Sequence, residues 1–223
     1  MKSYNDKIVK KPWGHEYLVF ENAEVALWAL HIGKNQSTSM HCHPNKTTGL
    51  TVLSGKCLVS FFSNSFEVNE LDKVMIRKSL FHSTKSISEN GSIVFEIETP
   101  NNKQDLVRFD DYYGRKGLPY EGEEFEVPKS DDCLSINENY ELNFSEYADC
   151  LLKIYTITDA SFFDNHDDSV NFIILSGGIV TEYGVSLVNP GDIINNSIAK
   201  KIISVFKNVI PNTKVLVIEK NII

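Results

Sequence analysis

No run of apolar residues in this sequence approaches the ~20 that a membrane-crossing helix requires, so nothing here is read as a transmembrane helix. The opening stretch MKSYNDKIVKKPWG has lysines but no apolar core or small-residue cleavage site; no secretory leader is read there, and the expected address is the cytoplasm. Cys42, Cys57, Cys133 and Cys150 lack CxxC spacing, which in a reducing compartment makes them free thiols rather than a disulfide framework. Lysine and arginine are nowhere concentrated, and the formal net charge is -8, so nucleic acid is not an expected partner. An anionic substrate then needs a locally basic pocket. Also missing is any long stretch with the three-and-four apolar spacing of an amphipathic helix, apart from an ambiguous segment at 139–152.

What is present is β-rich. With 42% hydrophobic and 11% aromatic residues over 223 positions, the composition suits a globular protein with a buried core. Short runs between turn residues, YLVF, VALWALHI, LTVLSGKCLVSFF, VMI and SIVFEIE, suggest a sandwich or barrel over the first half. Apolar patterning fades between Thr99 and Asn143, then LLKIYTI, NFIILSGGIV, VSLV, IISVF and KVLVIEK read as strands again. The halves also resemble each other: GLTVLSGKCLVSF at 49–61 parallels NFIILSGGIVTEY at 171–183, each with an LSG turn between two strands. The expected division is a first domain at 1–125, a linker at 126–148 and a second domain at 149–223.

The sharpest local feature is STSMHCHPNKTTGLTVLSG, which places His41 and His43 two residues apart ahead of a strand. On an extended segment residues i and i+2 point the same way, so both imidazoles can reach one ion. HxH alone is weak, because surface or hydrogen-bonded histidines share that spacing. Its context is the cupin pattern, in which HxH opens a glycine-punctuated strand pair and a further histidine follows, here His82 in FHSTKS. The chain is thus similar to the cupins, and the expected fold class is all-β: a bicupin of two tandem double-stranded β-helix (jelly-roll) barrels. Three imidazoles suit a divalent Zn, Fe, Mn, Ni or Co ion and leave positions for substrate or water. Many cupins add a carboxylate after the HxH pair, but Thr48 fills that place. The centre is expected to hold three histidines, or to be completed by Gln36, Glu96 or Glu98. Glu96 and Glu98 alternate with Phe95 and Ile97, so they also read as ordinary polar positions on one strand face. At matching offsets the second half has Phe163, Asn165 and Ser204; it reads as degenerate, with a structural or interface role. His166, in DNHDD, reads as a solvated loop residue.

Three stretches in order, KPWGHE at 11–16, the LSG hairpin and LVRFDDYYGR at 106–115, resemble the cupin module of type II mannose-6-phosphate isomerases, usually fused to a mannose-1-phosphate guanylyltransferase. The likeness covers about residues 8–116. It implies metal-dependent interconversion of an aldose and a ketose phosphate. Carried over, His41, His43 and His82 match metal-ligand positions, whereas the family's Gln ligand falls on Ser39 and its Glu ligand on Thr48. The family's arginine is approximated by Lys46, a candidate for binding phosphate or stabilising an enolate, although Lys lacks the bidentate fork of Arg. No nucleotidyltransferase segment precedes this stretch, so guanylyltransferase activity is not expected. The candidate catalytic residues are Glu96 or Glu98 as base, with Lys46. Lys46, Arg108, Arg115 and Tyr113 are the candidate substrate-binding residues. Arg108 and Arg115 also read as a structural clasp with Asp105, Asp110 and Asp111, and Pro12 and Trp13 as packing for an N-terminal strand. The expected substrate is a phosphorylated or nucleotide-linked sugar in surface-polysaccharide precursor metabolism, and the expected assembly a homodimer through edge strands.

Three other functions stay open at this point. The missing carboxylate at Thr48 fits a three-histidine iron dioxygenase. A metal-free carbohydrate epimerase would use a histidine base with Tyr112 or Tyr113 as acid. A non-catalytic sugar-binding cupin would hold a structural ion or none.

Overall fold

A computed structural model of the chain describes residues 3–136, 144–206 and 208–221. The chain is mostly β and divides into two compact units, Met1–Ser135 and Ile136–Ile223. No helix among the described residues is long and apolar enough to cross a membrane.

The first unit contains β1 (Lys7–Lys11), β2 (Gly14–Glu21), β3 (Ala26–Ile32), β4 (Met40–Cys42), β5 (Thr47–Ser54), β6 (Cys57–Phe61), β7 (Ser65–Val68), β8 (Lys73–Ile76), β9 (His82–Ser86), β10 (Ser92–Thr99), β11 (Val107–Asp110) and β12 (Glu126–Pro128). A seven-stranded sheet runs β12-β1-β2-β3-β10-β5-β8, and a five-stranded sheet runs β11-β4-β9-β6-β7. From β3 to β6 each strand switches sheet, and the alternation resumes from β8 to β10. That is the path of a jelly roll, and it sets the two sheets around a common interior. Strand alternation fills part of that interior with Val9, Leu18, Trp28, Leu50, Val52 and Val59, all buried. The remainder is polar. The LSG turn works because Gly55 takes a φ of +82°, which side-chain-bearing residues rarely adopt.

The second unit contains β13 (Ser145–Tyr147), β14 (Cys150–Ile157), β15 (Asn171–Ser176), β16 (Ile179–Val180), β17 (Ser186–Val188), β18 (Ile193–Asn195), α1 (Asn196–Phe206), β19 (Asn208–Val209) and β20 (Thr213–Lys220). Its sheets run β13-β14-β20-β15-β18 and β17-β16-β19. The first of these repeats, position by position, the order β2-β3-β10-β5-β8 of the first unit. Where β4 stands in the first unit, the second has a 3-10 segment, Ala160–Asn165.

Two expectations need correction. IISVF, read as a strand, lies inside α1. Ile198, Ala199, Ile202, Ile203 and Phe206 have the helical three-and-four spacing after all; the β-branched run at 202–203 hid it, since such residues favour strands locally. The stretch expected as linker gives β12 to the first unit, paired with β1, and β13 to the second, paired with β14. Of the ambiguous segment, 139–143 lie outside the described residues, and 145–147 and 150–152 are strand.

Candidate metal centre

The register of the small sheet explains why the three histidines meet. His41 on β4 faces His82 on β9 as a direct cross-strand pair, which puts both side chains on one face. His43 follows two residues after His41 and points the same way. Ring centroids lie 4.9 Å apart for His41–His43, 4.5 Å for His41–His82 and 5.5 Å for His43–His82. All three are buried, and one ring nitrogen from each comes within 4.8 Å of the others.

Each ring is oriented by a main-chain carbonyl. Nδ1 of His41 lies 2.8 Å from the Ser39 carbonyl, Nδ1 of His43 2.6 Å from that of Asp105, and Nδ1 of His82 2.9 Å from that of Leu80. With Nδ1–H donating outward, the Nε2 lone pairs are left for the interior, the arrangement that metal-binding imidazoles require. Nε2 of His43 is buried without a hydrogen-bond partner among the described residues. Burial first, then Lys46 in all three and neighbouring imidazoles in His41 and His43, disfavour the charged forms. His41 is held well below its usual range, His43 down to about 3 and His82 to about 4. Neutral, oriented, unpartnered imidazoles fit a divalent transition ion.

Beside them runs a buried lattice of opposite charges. Lys46 Nζ lies 2.6 Å from Glu98 Oε1, at an angle outside hydrogen-bond geometry. Lys103 Nζ lies 3.0 Å from Glu16 Oε1 and 3.5 Å from Glu98 Oε1, over the Trp28 ring at 3.7 Å. Lys11 joins Glu16 to Glu121, and the Tyr120 hydroxyl donates to Glu16. Burial alone would raise the Glu16 carboxyl; Lys103 and Lys11 overcome it and bring it down to about 2. Glu98 is likewise held low by Lys103 and Lys46 against burial.

Glu96 differs. It is paired with none of the cavity's lysines or arginines at ion-pair distance, and its Oε1 lies 4.0 Å from His43 Nε2. Burial, with Glu98 and Glu16 nearby and Lys103 only partly offsetting them, pushes its carboxyl up to about 7. His43, Glu96 and Glu98 form a second group whose ligand atoms lie within 4.8 Å of one another. The cavity bounded by these residues measures about 50 Å³.

The structure brings His41, His43, His82, Lys46, Glu96 and Glu98 to one cavity, with Arg108 and Arg115 in its wall. Both arginines are held in a clasp. Arg108 contacts Glu121 Oε1 at 2.8 Å and the Leu118 carbonyl at 3.1 Å, while Arg115 forks onto Asp111 at 2.7 and 3.1 Å and reaches Glu121 at 2.6 Å. Asp105 is not in that clasp; its carboxylate accepts from the amides of Asn45 and Lys46 at 2.8 and 3.1 Å, fixing the turn after His43. Tyr113 is outside the cavity lining and donates to Gln36 Oε1 at 2.7 Å, which occupies both side chains away from the imidazoles. Thr48 is buried with its Oγ1 unpartnered, next to Glu98 across β5 and β10. Lys11, Glu16, Lys103, Tyr120 and Glu121 escaped the sequence reading. KPWGHE did hold the first two, and a glutamate heading the apolar run YLVF was the usable signal. Lys103 in NNKQD had none.

No protein-family description and no curated protein matches this chain. Among solved structures it is similar to an uncharacterized conserved protein with a double-stranded beta-helix domain from Klebsiella pneumoniae, at 16% identity over 48% of this chain and 88% of that one, TM-score 0.39. KdgF from Halomonas sp. is similar at 14% identity over 41% and 83%, TM-score 0.39. A candidate sugar phosphate isomerase from Acidithiobacillus ferrooxidans is similar at 18% identity over 38% of this chain and 56% of that one, TM-score 0.35. At these values the fold reading rests on the strand order, and the chemistry on the side chains described above.

Proposed function

We propose that this chain is a bicupin whose first unit is a metal-dependent isomerase of a phosphorylated or nucleotide-linked sugar, interconverting aldose and ketose as mannose-6-phosphate isomerases do. The observation that carries the reading is Glu96: a buried carboxyl with no lysine or arginine of the cavity at ion-pair distance, 4.0 Å from the free Nε2 of His43, in a cavity with three oriented imidazoles. His41, His43 and His82 hold the ion, which supplies Lewis-acid polarisation of a carbonyl and its neighbouring hydroxyl. Glu96 takes a proton from one carbon and returns it to the next, a task open to it because no cation of the cavity wall holds its carboxylate. Glu98, locked by Lys46 and Lys103, stays ionised and keeps those cations in place. The small cavity takes the reacting end of the sugar, and the phosphate lies toward Arg115, at 13% side-chain exposure the most open of the ion-paired groups in its wall.

The test is anaerobic conversion of mannose 6-phosphate, other aldose phosphates and nucleotide-linked sugars to ketoses by the metal-loaded chain. Glu96→Gln is expected to lower turnover by about 10²–10⁴-fold with metal content retained. Turnover unchanged in that variant would remove Glu96 from the chemistry. A second reading is favoured by one fact, that no carboxylate belongs to the group formed by the three imidazoles: a three-histidine iron dioxygenase. Iron-dependent oxygen uptake without ketose formation would replace the isomerase with it.

A further inference from the structure

The motif LVRFDDYYGR is only half absorbed by the cavity. Arg108, Asp111 and Arg115 form the clasp, whereas Phe109, Asp110 and Tyr112 border a different pocket. There Phe62 stacks on Phe81 with centroids 4.9 Å apart, and Phe109 stands edge-on to both at 4.9 and 5.8 Å. A pocket of about 230 Å³ opens at this corner, lined by Met40, Phe62, Ser83, Phe109, Asp110 and Tyr112 among others. Phe62 is 61% exposed, Phe109 51% and Tyr112 86%. Met40 precedes His41 on β4, so strand alternation turns its side chain to the opposite face of the small sheet from the imidazoles, while Thr38 borders both this pocket and the metal cavity.

The lining chemistry narrows the ligand. No lysine, arginine or histidine lines the pocket, and two aspartates do. Asp111 is spent on Arg115, while Asp110 is exposed and gives one oxygen to the Asp111 amide at 2.9 Å. Lys116 Nζ, outside the lining, lies 5.5 Å from the Phe109 ring centroid, so a phosphate or nucleotide meets two carboxylates against one lysine here. Aromatic faces carry negative potential and attract the C–H face of a ring, while Asp110 and Ser83 can bond the hydroxyls at its rim. The rings are already packed against one another, so little side-chain freedom is lost on binding. Aromatic side chains beside hydroxyl and carboxylate groups, in a concave site of this size, are the chemistry of a sugar ring rather than of a flat protein partner.

We propose that this pocket is a second binding site, for a neutral hexopyranose such as the terminal sugar of a glycan, separate from the metal cavity. The experiment is saturation-transfer NMR on the full chain with the methyl pyranosides of glucose, mannose and N-acetylglucosamine. Transfer to the ring C–H protons is expected at dissociation constants of about 1–10 mM, and removal of metal by chelation leaves it unchanged. Phe109→Ala and Phe62→Ala, both at exposed positions, each weaken binding at least about 5-fold with melting temperature retained. Absence of transfer from all three sugars at about 20 mM overturns the proposal, as does transfer that survives both substitutions. So does a wild-type chain that sediments as a dimer which Phe109→Ala splits, since a second copy then covers the face. None of these readouts depends on isomerase turnover.

Discussion

The two units share a strand order but not an interior. Every buried charged or imidazole side chain among the described residues, from Glu16 to Glu121, belongs to the first unit. The second fills the equivalent space with Phe163, Phe172, Ile174, Val215 and Val217, and its buried polar groups are Asn171, Asn196 and Thr213. Phe163 takes the sequence offset of His41 and is 1% exposed. Asn165 ends the 3-10 segment, and Ser204 sits exposed on α1, its hydroxyl donating to the Lys201 carbonyl at 2.8 Å. A jelly roll tolerates a hollow, charged interior only where each charge is compensated, because an unpaired buried ion costs several kcal/mol. The first unit meets that condition for Lys11, Glu16, Lys46, Glu98 and Lys103, leaving Glu96 and three imidazole nitrogens for a ligand. The second meets it by having no such groups.

Acid should break the first unit before the second. In the metal-free chain the unfolded state takes up protons below an ordinary imidazole value of 6.5 that the folded His41, His43 and His82 refuse. Their contribution to stability is present above that pH and lost as pH falls. Glu96 acts oppositely, its contribution present below 4.5 and lost as pH rises through about 7. With His15 and His31, whose charged forms burial also disfavours, the imidazoles outnumber the one carboxyl, so unfolding free energy falls as pH drops below 6.5. Urea unfolding of metal-free protein between pH 7.5 and pH 5 reads this directly. His43→Gln is expected to lessen the slope, and a slope that ignores it would place the titration elsewhere.

Emptying the second interior is the converse. Phe163→Ala removes a fully buried ring that meets Phe172 edge-on at 5.3 Å, and is expected to cost about 3–5 kcal/mol of unfolding free energy. Metal content should not change, because all three imidazoles belong to the first unit. Elemental analysis showing loss of metal in this variant would end the separation of roles.

Much of this contrast was legible in the sequence because it is carried by period and offset. Short apolar runs between turn residues marked β3, β5, β10, β14, β15 and β20, and the HxH spacing with His82 identified the imidazole face. The lattice around Glu96 was not legible, since Lys11, Lys103 and Tyr120 reach it from separate segments that no local pattern connects. The assignment of Arg108 and Arg115 stayed divided for the same reason: Glu121, which holds both, lies in an acidic stretch that reads as loop. Helix α1 was missed because the propensity of β-branched residues outweighed a spacing only 11 residues long.

The paired LSG turns offer the finest comparison. Gly55 and Gly177 end corresponding strands with φ of +82° and +74°. A Cβ at Gly55 would come 2.7 Å from the Gly91 carbonyl oxygen, 2.9 Å from Ser92 Oγ and 3.0 Å from Ser88 Oγ. One at Gly177 would come 2.9 Å from Thr213 Cα, and Thr213 cannot swing away while its hydroxyl accepts from the Gly178 amide at 2.8 Å and donates to the Ile210 carbonyl at 2.7 Å. Left-handed backbone costs alanine about 1–2 kcal/mol before any collision. Gly55→Ala and Gly177→Ala should therefore both destabilise by at least that much, and by similar amounts, in urea titrations. If the turns do the same job in both units, neither substitution should alter metal content, whereas a loss confined to Gly55→Ala would mean that the first turn also sets the imidazole face.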